Sequence, residues 1–352
     1  MTIEPMNAEE KETMKASQVP RITGLLLIEV RHSNPNGDPE RESSPRQRPD
    51  RKGEISPVSI KRKLRDLVEK KDELLWDSIK KKVKLPKGYQ FDIMESRERG
   101  WNDLKEADET MRANNAWTKT SKLINSNFPG FQKKYWDARL FGNTFLEKAK
   151  EERGIQDTIR TGVVHFGVGI SVAPIEIEFS TWTKKAPAQE DRTRGMAPMA
   201  WRVVKHGLYT VPFFVNPTQA RKTDCTLADV QIMLHLLKHA YPHTRSVPRA
   251  QVDVIYAHVV QHNDPLGSFS DFALLDALAP KRIPKSLSGK SWKKHSEFLE
   301  LLKAAPDANQ VDPSESLADY AVPTWKDIKD ELVRVGKSDK WSEVGKHTDE
   351  AV

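Results

Sequence analysis

The stretch ITGLLLIEV, residues 22–30, decides how the rest of the chain is read. Ile22, Leu26, Ile28 and Val30 fall on one face of an extended segment, and Leu25 and Leu27 fall on the other. Apolar residues on both faces predict a strand inside a sheet, covered above and below. The chain then leaves this strand through HSNPNGDPERESSPRQRPD, residues 32–50, with hardly an apolar side chain. Such an exit is either an idle surface loop or a segment whose backbone and arginines hold something negatively charged.

Beyond the loop, SPVSIKRKLRDLVEKKDELLW (residues 56–76) predicts a helix. Ser56 suits the N-cap and Pro57 the first helical position. Ile60, Leu64, Leu67 and Val68 recur at helical spacing and form the buried stripe. Lys61, Arg62, Lys63 and Arg65 lie off that stripe, near the helix start. Residues 41–65 carry nine cations against Glu42, Asp50 and Glu54. A basic field of this kind suits a polyanion, with nucleic acid the commonest, and the bland alternative is a solvated basic face. A helix start adds free N–H groups and a positive dipole end for phosphate.

Further strands are expected at 163–179, 208–216 and 252–262, with a short one in YQFDI (89–93). Ile175, Ile177 and Phe179 alternate with Glu176 and Glu178, a half-exposed pattern. TLADVQIMLHLLKHAYP (226–242) predicts a second helix, capped by Thr226 with Asp229 at the third position and stopped by Pro242. The order strand, helix, strand, strand, helix, strand is the split βαβ, or ferredoxin-like, order. The fold class is therefore α+β. Many RNA-binding modules share this order, but the aromatic signature of an ordinary RRM is missing from these strands. Helical segments are expected at 96–112 and around 144–153.

The whole chain has 352 residues and a formal charge of +7, with 57 basic and 50 acidic side chains. Cys225 is the only cysteine, which excludes an intrachain disulfide and a thiolate zinc cluster and fits a reducing, cytoplasmic setting. No stretch has the ~20 apolar residues of a membrane span, so no membrane partner is expected. Residues 1–20 read as a flexible leader and 281–352 as a charged C-terminal appendage.

His235, His239 and His243 are spaced as metal ligands on a helix could be. No acid of a metalloprotease motif accompanies them, and Pro242 breaks the face, so exposed helix histidines are the preferred reading and no metal or cofactor is expected. Gly162, Gly167 and Gly169 sit in a strand pattern, where glycine marks the close approach of another backbone or a ligand. Asp38, in the loop, either caps a turn, which the NGD context favours, or helps cleave RNA.

Taken in order, IEVRHSNPNGDPE, SPVSIKRKLRDLV, YWDARLFGN, TGVVHFGVGISVAPIEI and RGMAPMAWRVVKHGLYTVPFFVNPTQARKT resemble the repeated crRNA-binding backbone subunit of type I CRISPR Cascade, the Cas-seven family, nearest its I-C and I-B branches. The resemblance spans about residues 21–280. It implies a modified RRM palm with a helical finger insertion at about 77–160 and a β-hairpin thumb at about 180–207. It also implies copies stacked head to tail along a CRISPR RNA, whose bases stay open to a target DNA strand, with RNA-end-capping and large subunits as further partners. The RNA contacts it implies are Asn34, Asn36, Gly37 and Asp38 in the loop, and Ser59, Lys61, Arg62 and Arg65 at the helix start. In the thumb they are Arg192, Arg194, Lys205 and His206, with Met196, Met199 or Trp201 as a wedge. Arg139 and Phe141 match a family stretch near the palm. The resemblance implies no catalysis. The rivals are a type III-like subunit that cleaves target RNA through Asp38, and a stand-alone RNA-binding protein.

Overall fold

In the computed structural model, residues 19–70, 73–96, 133–143, 160–185, 196–267, 269–324 and 340–343 are described. The strands of the main sheet are, in chain order, β1 (Ile22–Ser33), β2 (Lys52–Ile55), β3 (Val164–Phe166), β4 (Gly169–Pro174), β5 (Ile177–Lys185), β6 (Met196–Val215), β7 (Val252–Gln261) and β8 (Lys340–Glu343). The helices are α1 (Pro57–Lys70), α2 (Glu73–Lys82), α3 (Trp136–Phe141), α4 (Pro217–Thr223), α5 (Leu227–Leu237), α6 (Asp271–Leu278) and α7 (His295–Ala304). The sheet runs β8-β7-β1-β6-β4-β2, and its ladders are antiparallel. β3 and β5 pair with opposite ends of the 20-residue β6.

β1 is central because both its faces are apolar. Leu26, Ile28 and Val30 pack with the Ile60, Leu64, Leu67 and Val68 stripe of α1 and with Val230, Met233 and Leu237 of α5. Leu25 and Leu27 join Leu208, Tyr256 and Val260 on the opposite face, under Leu274 and Leu278 of α6 and Tyr320. Each such side chain contributes about 1.5–3 kcal/mol on burial, so neither layer is incidental. Base stacking on a bare sheet face, the habit of an ordinary RRM, is therefore closed here.

The caps expected from sequence are present. Thr226 and Asp229 form a reciprocal capping box on α5. Asp229 also carries the tie between α5 and α3: its two carboxylate oxygens accept from Arg139 Nη2 at 2.8 Å and Nε at 3.1 Å. Both side chains are fully buried. Cys225 is buried, and burial pushes its thiol well above the ordinary range, as for an inert packed cysteine.

Several expectations are corrected. YQFDI supplies only an isolated bridge, Asp92 to Tyr135. The single strand expected at 163–179 is three strands, β3, β4 and the start of β5. Its apolar run does not mark the break at Gly167–Val168, whereas the second break follows Pro174, which reads from sequence as an edge or a bend. The strand expected at 208–216 starts at Met196, because β6 continues outward as a hairpin with β5, in register from Met196 opposite Lys185 to Val204 opposite Ile177. Among the described side chains of that outer half, Phe179, Thr181 and Ala200 are exposed, so no apolar alternation is imposed there. The helix expected through residue 76 is described as two, α1 and α2. The segments expected to be helical at 96–112 and 144–153 lie outside the described residues apart from Ser96, as does nearly all of the leader.

Downstream of residue 280, Leu287, Phe298 and Ala321 form a small core of their own. Tyr320 reaches back to the main sheet, and a short ladder pairs Lys281–Arg282 with Tyr320–Ala321. Among the described residues no helix is long and apolar enough to cross a membrane.

Candidate nucleic-acid interface

The polar exit from β1 is a folded object rather than an open loop. Gly37–Asp38 pairs with Ser44–Pro45. A 3-10 turn, Pro39–Arg41, fills the tip, and Asp38 caps it by accepting from the Glu40 N–H at 3.2 Å. The carboxylate also faces Arg46 at 3.9 Å and Arg41 at 4.0 Å. Glu42, Ser43 and Arg51 take left-handed backbone (φ of 50, 58 and 65°), which costs non-glycine residues of order 1 kcal/mol each and persists only where surroundings impose it. Gly37 has no alternative, since a Cβ there would lie 2.9 Å from the Ser43 carbonyl oxygen.

Asn36 joins this loop to the helix. Its Oδ1 accepts from the Ser56 N–H at 2.7 Å, and its carbonyl accepts from the Arg46 N–H at 3.1 Å. Ser56 in turn caps α1 through the Ser59 N–H. Asn34 is buried and donates to the Ser43 carbonyl at 2.7 Å. Asn36→Ala leaves the Ser56 N–H without its acceptor and is expected to destabilise the chain by about 1–2 kcal/mol. Urea unfolding measures this, and an unchanged midpoint would show that the tie is replaced by water.

The four helix-start residues fare differently. Ser59 Oγ accepts from Lys63 Nζ at 3.0 Å. Arg62 is held by Asp66 at 2.6 Å and Glu69 at 3.0 Å. Arg65 is 6% exposed and is bound by Asp137 at 2.9 Å and Glu95 at 3.0 Å. The Asp137 carboxylate also accepts from the Met94 and Glu95 N–H groups, so that pair fixes α3 and residues 94–95 against α1. Lys61 has no carboxylate within 4 Å among the described residues. Its ammonium lies over the Phe141 ring, 5.4 Å from the centroid. Partial burial, then the charge of Arg65, lower its pKa. A cation that is partly dehydrated and feels the Glu95 carboxylate only from beyond 4 Å is poised for an outside anion. His165 belongs to the same neighbourhood, its pKa lowered by burial and by Lys61. Sequence reasoning passed over His165, because only the folding of β3 beside α1 brings it there.

The β5–β6 hairpin rises from the other side of the loop. Arg202 donates to the carboxylate and carbonyl of Glu42, and His32 lies 3.1 Å from Glu178. Lys205 is shared between Glu176 at 3.5 Å and Glu315 at 3.8 Å. His206 is buried, 3.0 Å from Glu29 and 2.9 Å from Ser314 Oγ. Trp201 is half-buried, opposite Ser180, with an indole N–H that has no hydrogen-bond partner among the described residues. Met196 and Met199 stand on β6 opposite Lys185 and Trp182. Arg192 and Arg194 lie outside the described residues. The loop, the start of α1 and the hairpin base are thus linked by named bonds, whereas Arg65 and His206 point inward.

His235 near the end of α5, His239 in the turn after it and His243 in the 3-10 turn Pro242–Thr244 line up, with ring centroids 5.6 Å and 5.3 Å apart. Among the described residues no group of three or more His, Cys, Asp or Glu could hold a metal ion. Burial lowers the pKa of His235 to about 4, with Lys82 and Lys238 adding to the effect. Gly162 meets its expectation of close approach: a Cβ there would be 2.1 Å from the Phe141 carbonyl carbon.

Fold and surface together define an α+β protein on one large antiparallel sheet, with a basic helix start and a long hairpin beside a folded polar loop. The family model of CRISPR-associated protein Cas7 matches residues 20–322, and the chain belongs to that family. No curated protein matches. Among solved structures, a chain of a "CRISPR RNA-guided surveillance complex, pre-nicking" is similar at 16% identity and a TM-score of 0.44, covering 90% of this chain and 99% of that one. A chain of a "CRISPR RNA-guided surveillance complex" follows at 14% and 0.43, covering 94% and 92%. A chain of the Type III-B Cmr-beta complex bound to cognate target RNA matches at 14% and 0.34, covering 71% and 64%.

Proposed function

We propose that this chain is the crRNA-binding backbone subunit of a type I CRISPR surveillance complex, acting in the cytoplasm. Copies stack head to tail along the RNA and leave its bases open to a target DNA strand, and other subunits close the ends. The observation that carries this reading is the family match over residues 20–322.

In this reading β1, α1, β3–β4, β6, α5 and β7 are a modified RRM palm, supported by their βαββαβ order and by the sheet order β7-β1-β6-β4. The β5–β6 hairpin is the thumb, and about residues 77–160 carry the finger. The palm holds phosphates through Asn36, Gly37, Ser59, Lys61 and Arg62. Asn34, Asp38, Arg65 and His206, engaged by neighbours within the chain, hold those elements in place. Arg192, Arg194, Met196, Met199, Trp201 and Lys205 reach the RNA from the thumb. Phosphate contacts carry no base identity, which suits a guide of arbitrary sequence. Asp38 acts as the cap of its turn rather than in cleavage.

Light scattering after size exclusion tests the proposal. The chain mixed with RNAs of increasing length should gain mass in whole copies as the RNA lengthens. One copy per RNA at every length would overturn the backbone reading in favour of a stand-alone RNA-binding protein.

A further inference from the structure

Residues 281–294, KRIPKSLSGKSWKK, hold six cations and no acid. The fold spends two of them: Arg282 lies 3.6 Å from Asp319, and Lys285 lies 2.9 Å from Asp312. Two further acids beside the stretch serve other donors. Asp307 accepts from the Ser286 N–H and hydroxyl, and Glu297 accepts from the Lys293 N–H at 2.9 Å. Lys290, Lys293 and Lys294 are exposed and have no ion-pair partner among the described residues. They do not serve α7 either, since Lys293 and Lys294 precede its first turn, where a cation opposes the helix dipole. Trp292, the one aromatic ring in the stretch, is half-buried, its centroid 4.7 Å from that of the buried Phe298. The appendage joins the main sheet through Leu317, Tyr320 and Val322, on the face that carries Leu25 and Leu27 and away from the α1 layer.

We propose that Lys290, Lys293 and Lys294 form a second nucleic-acid surface, which holds the phosphates of double-stranded DNA without regard to sequence. Three ammonium groups within five positions supply point charges for phosphate and nothing that reads a base. Arg282 is engaged by Asp319 and Trp292 by Phe298, so neither a free guanidinium for base edges nor a bare ring for stacking is on offer. A single strand gains from stacking as well as from charge. A duplex has its bases already stacked, and it presents about one charge per 1.7 Å of axis. The surface goes beyond the RNA-binding reading and does not depend on it. Lys61 and its neighbours belong to the α1 layer, and these lysines belong to the appendage on the opposite face.

The test uses the full chain and duplex DNAs of several unrelated sequences, with affinity measured across a salt series. Wild type should bind all of them alike. K290A/K293A/K294A should bind duplex about tenfold more weakly or worse, with a slope of log affinity against log salt shallower by about three units. Its affinity for single-stranded RNA should stay within about twofold, because the guide-binding groups are untouched. K290R/K293R/K294R should bind duplex as wild type does, since the charge is kept. Equal duplex affinity and slope in wild type and the alanine variant would overturn the surface, as would failure of wild type to bind duplex. An equal loss of duplex and single-stranded RNA binding would overturn it in favour of one continuous RNA path. Failure of wild type to bind RNA, with the duplex results as expected, would refute the backbone reading and leave this surface standing.

Discussion

Asp229→Ala is expected to destabilise the fold by about 3–5 kcal/mol, the range for stranding one member of a buried ion pair. The carboxylate does two jobs. It accepts two hydrogen bonds from Arg139 and closes the capping box of α5, through the Thr226 N–H at 2.8 Å and hydroxyl at 2.9 Å. Its loss takes the two-point carboxylate contact away from a guanidinium with 0% exposure, and frees the first turn of the helix. The substitution thus acts on α3 and α5 together, and through α5 on the layer beneath β1. Urea unfolding measures the loss as a shift in midpoint. Adding Arg139→Met should recover part of it, because the stranded charge goes too. Recovery stays partial, since Arg139 also donates to the Lys133 and Gln90 carbonyls. A loss under about 1 kcal/mol would mean that water reaches the pair, in the way exposed pairs behave.

Asp229 reads from sequence as a cap and Arg139 as part of a family stretch, but their pairing does not, and the reason is general to this molecule. What was legible is local or periodic. The two apolar faces of β1, the stripe on α1 and the Thr226–Asp229 cap each follow from residues within a turn or a few positions, and each is found in place. Asp229 was read as a cap and as nothing more, because its second partner lies 90 positions away. Arg65 is the same case: it was read as a phosphate holder from its place on the helix, and Asp137, 72 positions away, engages it. Charge density in a sequence counts cations, but it does not show which have found an acid.

The hairpin was hard to read for a different reason. Alternation marks a strand only where one face meets a core, and in the outer halves of β5 and β6 the described side chains Phe179, Thr181 and Ala200 are exposed. Phe179 looked continuous with Ile175, yet the core ends between them. The loop after β1 was recognised as meaningful from composition alone. Its actual content, a capped turn, left-handed residues and the Asn36 tie to Ser56, is geometry that composition does not carry.

Lys61→Ala should have the largest effect on RNA binding of any single substitution at the helix start. Arg62 and Arg65 bring their own carboxylates, so their charges are largely spent within the chain. Lys61 brings none among the described residues, and partial burial has already stripped some of its water. A phosphate reaching it meets a cation with little to give up. Removing one such contact weakens binding to every sequence alike, on the order of tenfold for a charge-assisted hydrogen bond. It also removes about one unit from the slope of log affinity against log salt concentration.

The decisive measurement is therefore affinity for single-stranded RNA across a salt series, in wild type, Lys61→Ala and Arg62→Ala. The account predicts a slope shallower by about one unit in Lys61→Ala for several unrelated RNA sequences, with a smaller change in Arg62→Ala. Identical slopes and affinities in wild type and Lys61→Ala would contradict it, and would place the RNA elsewhere on the molecule.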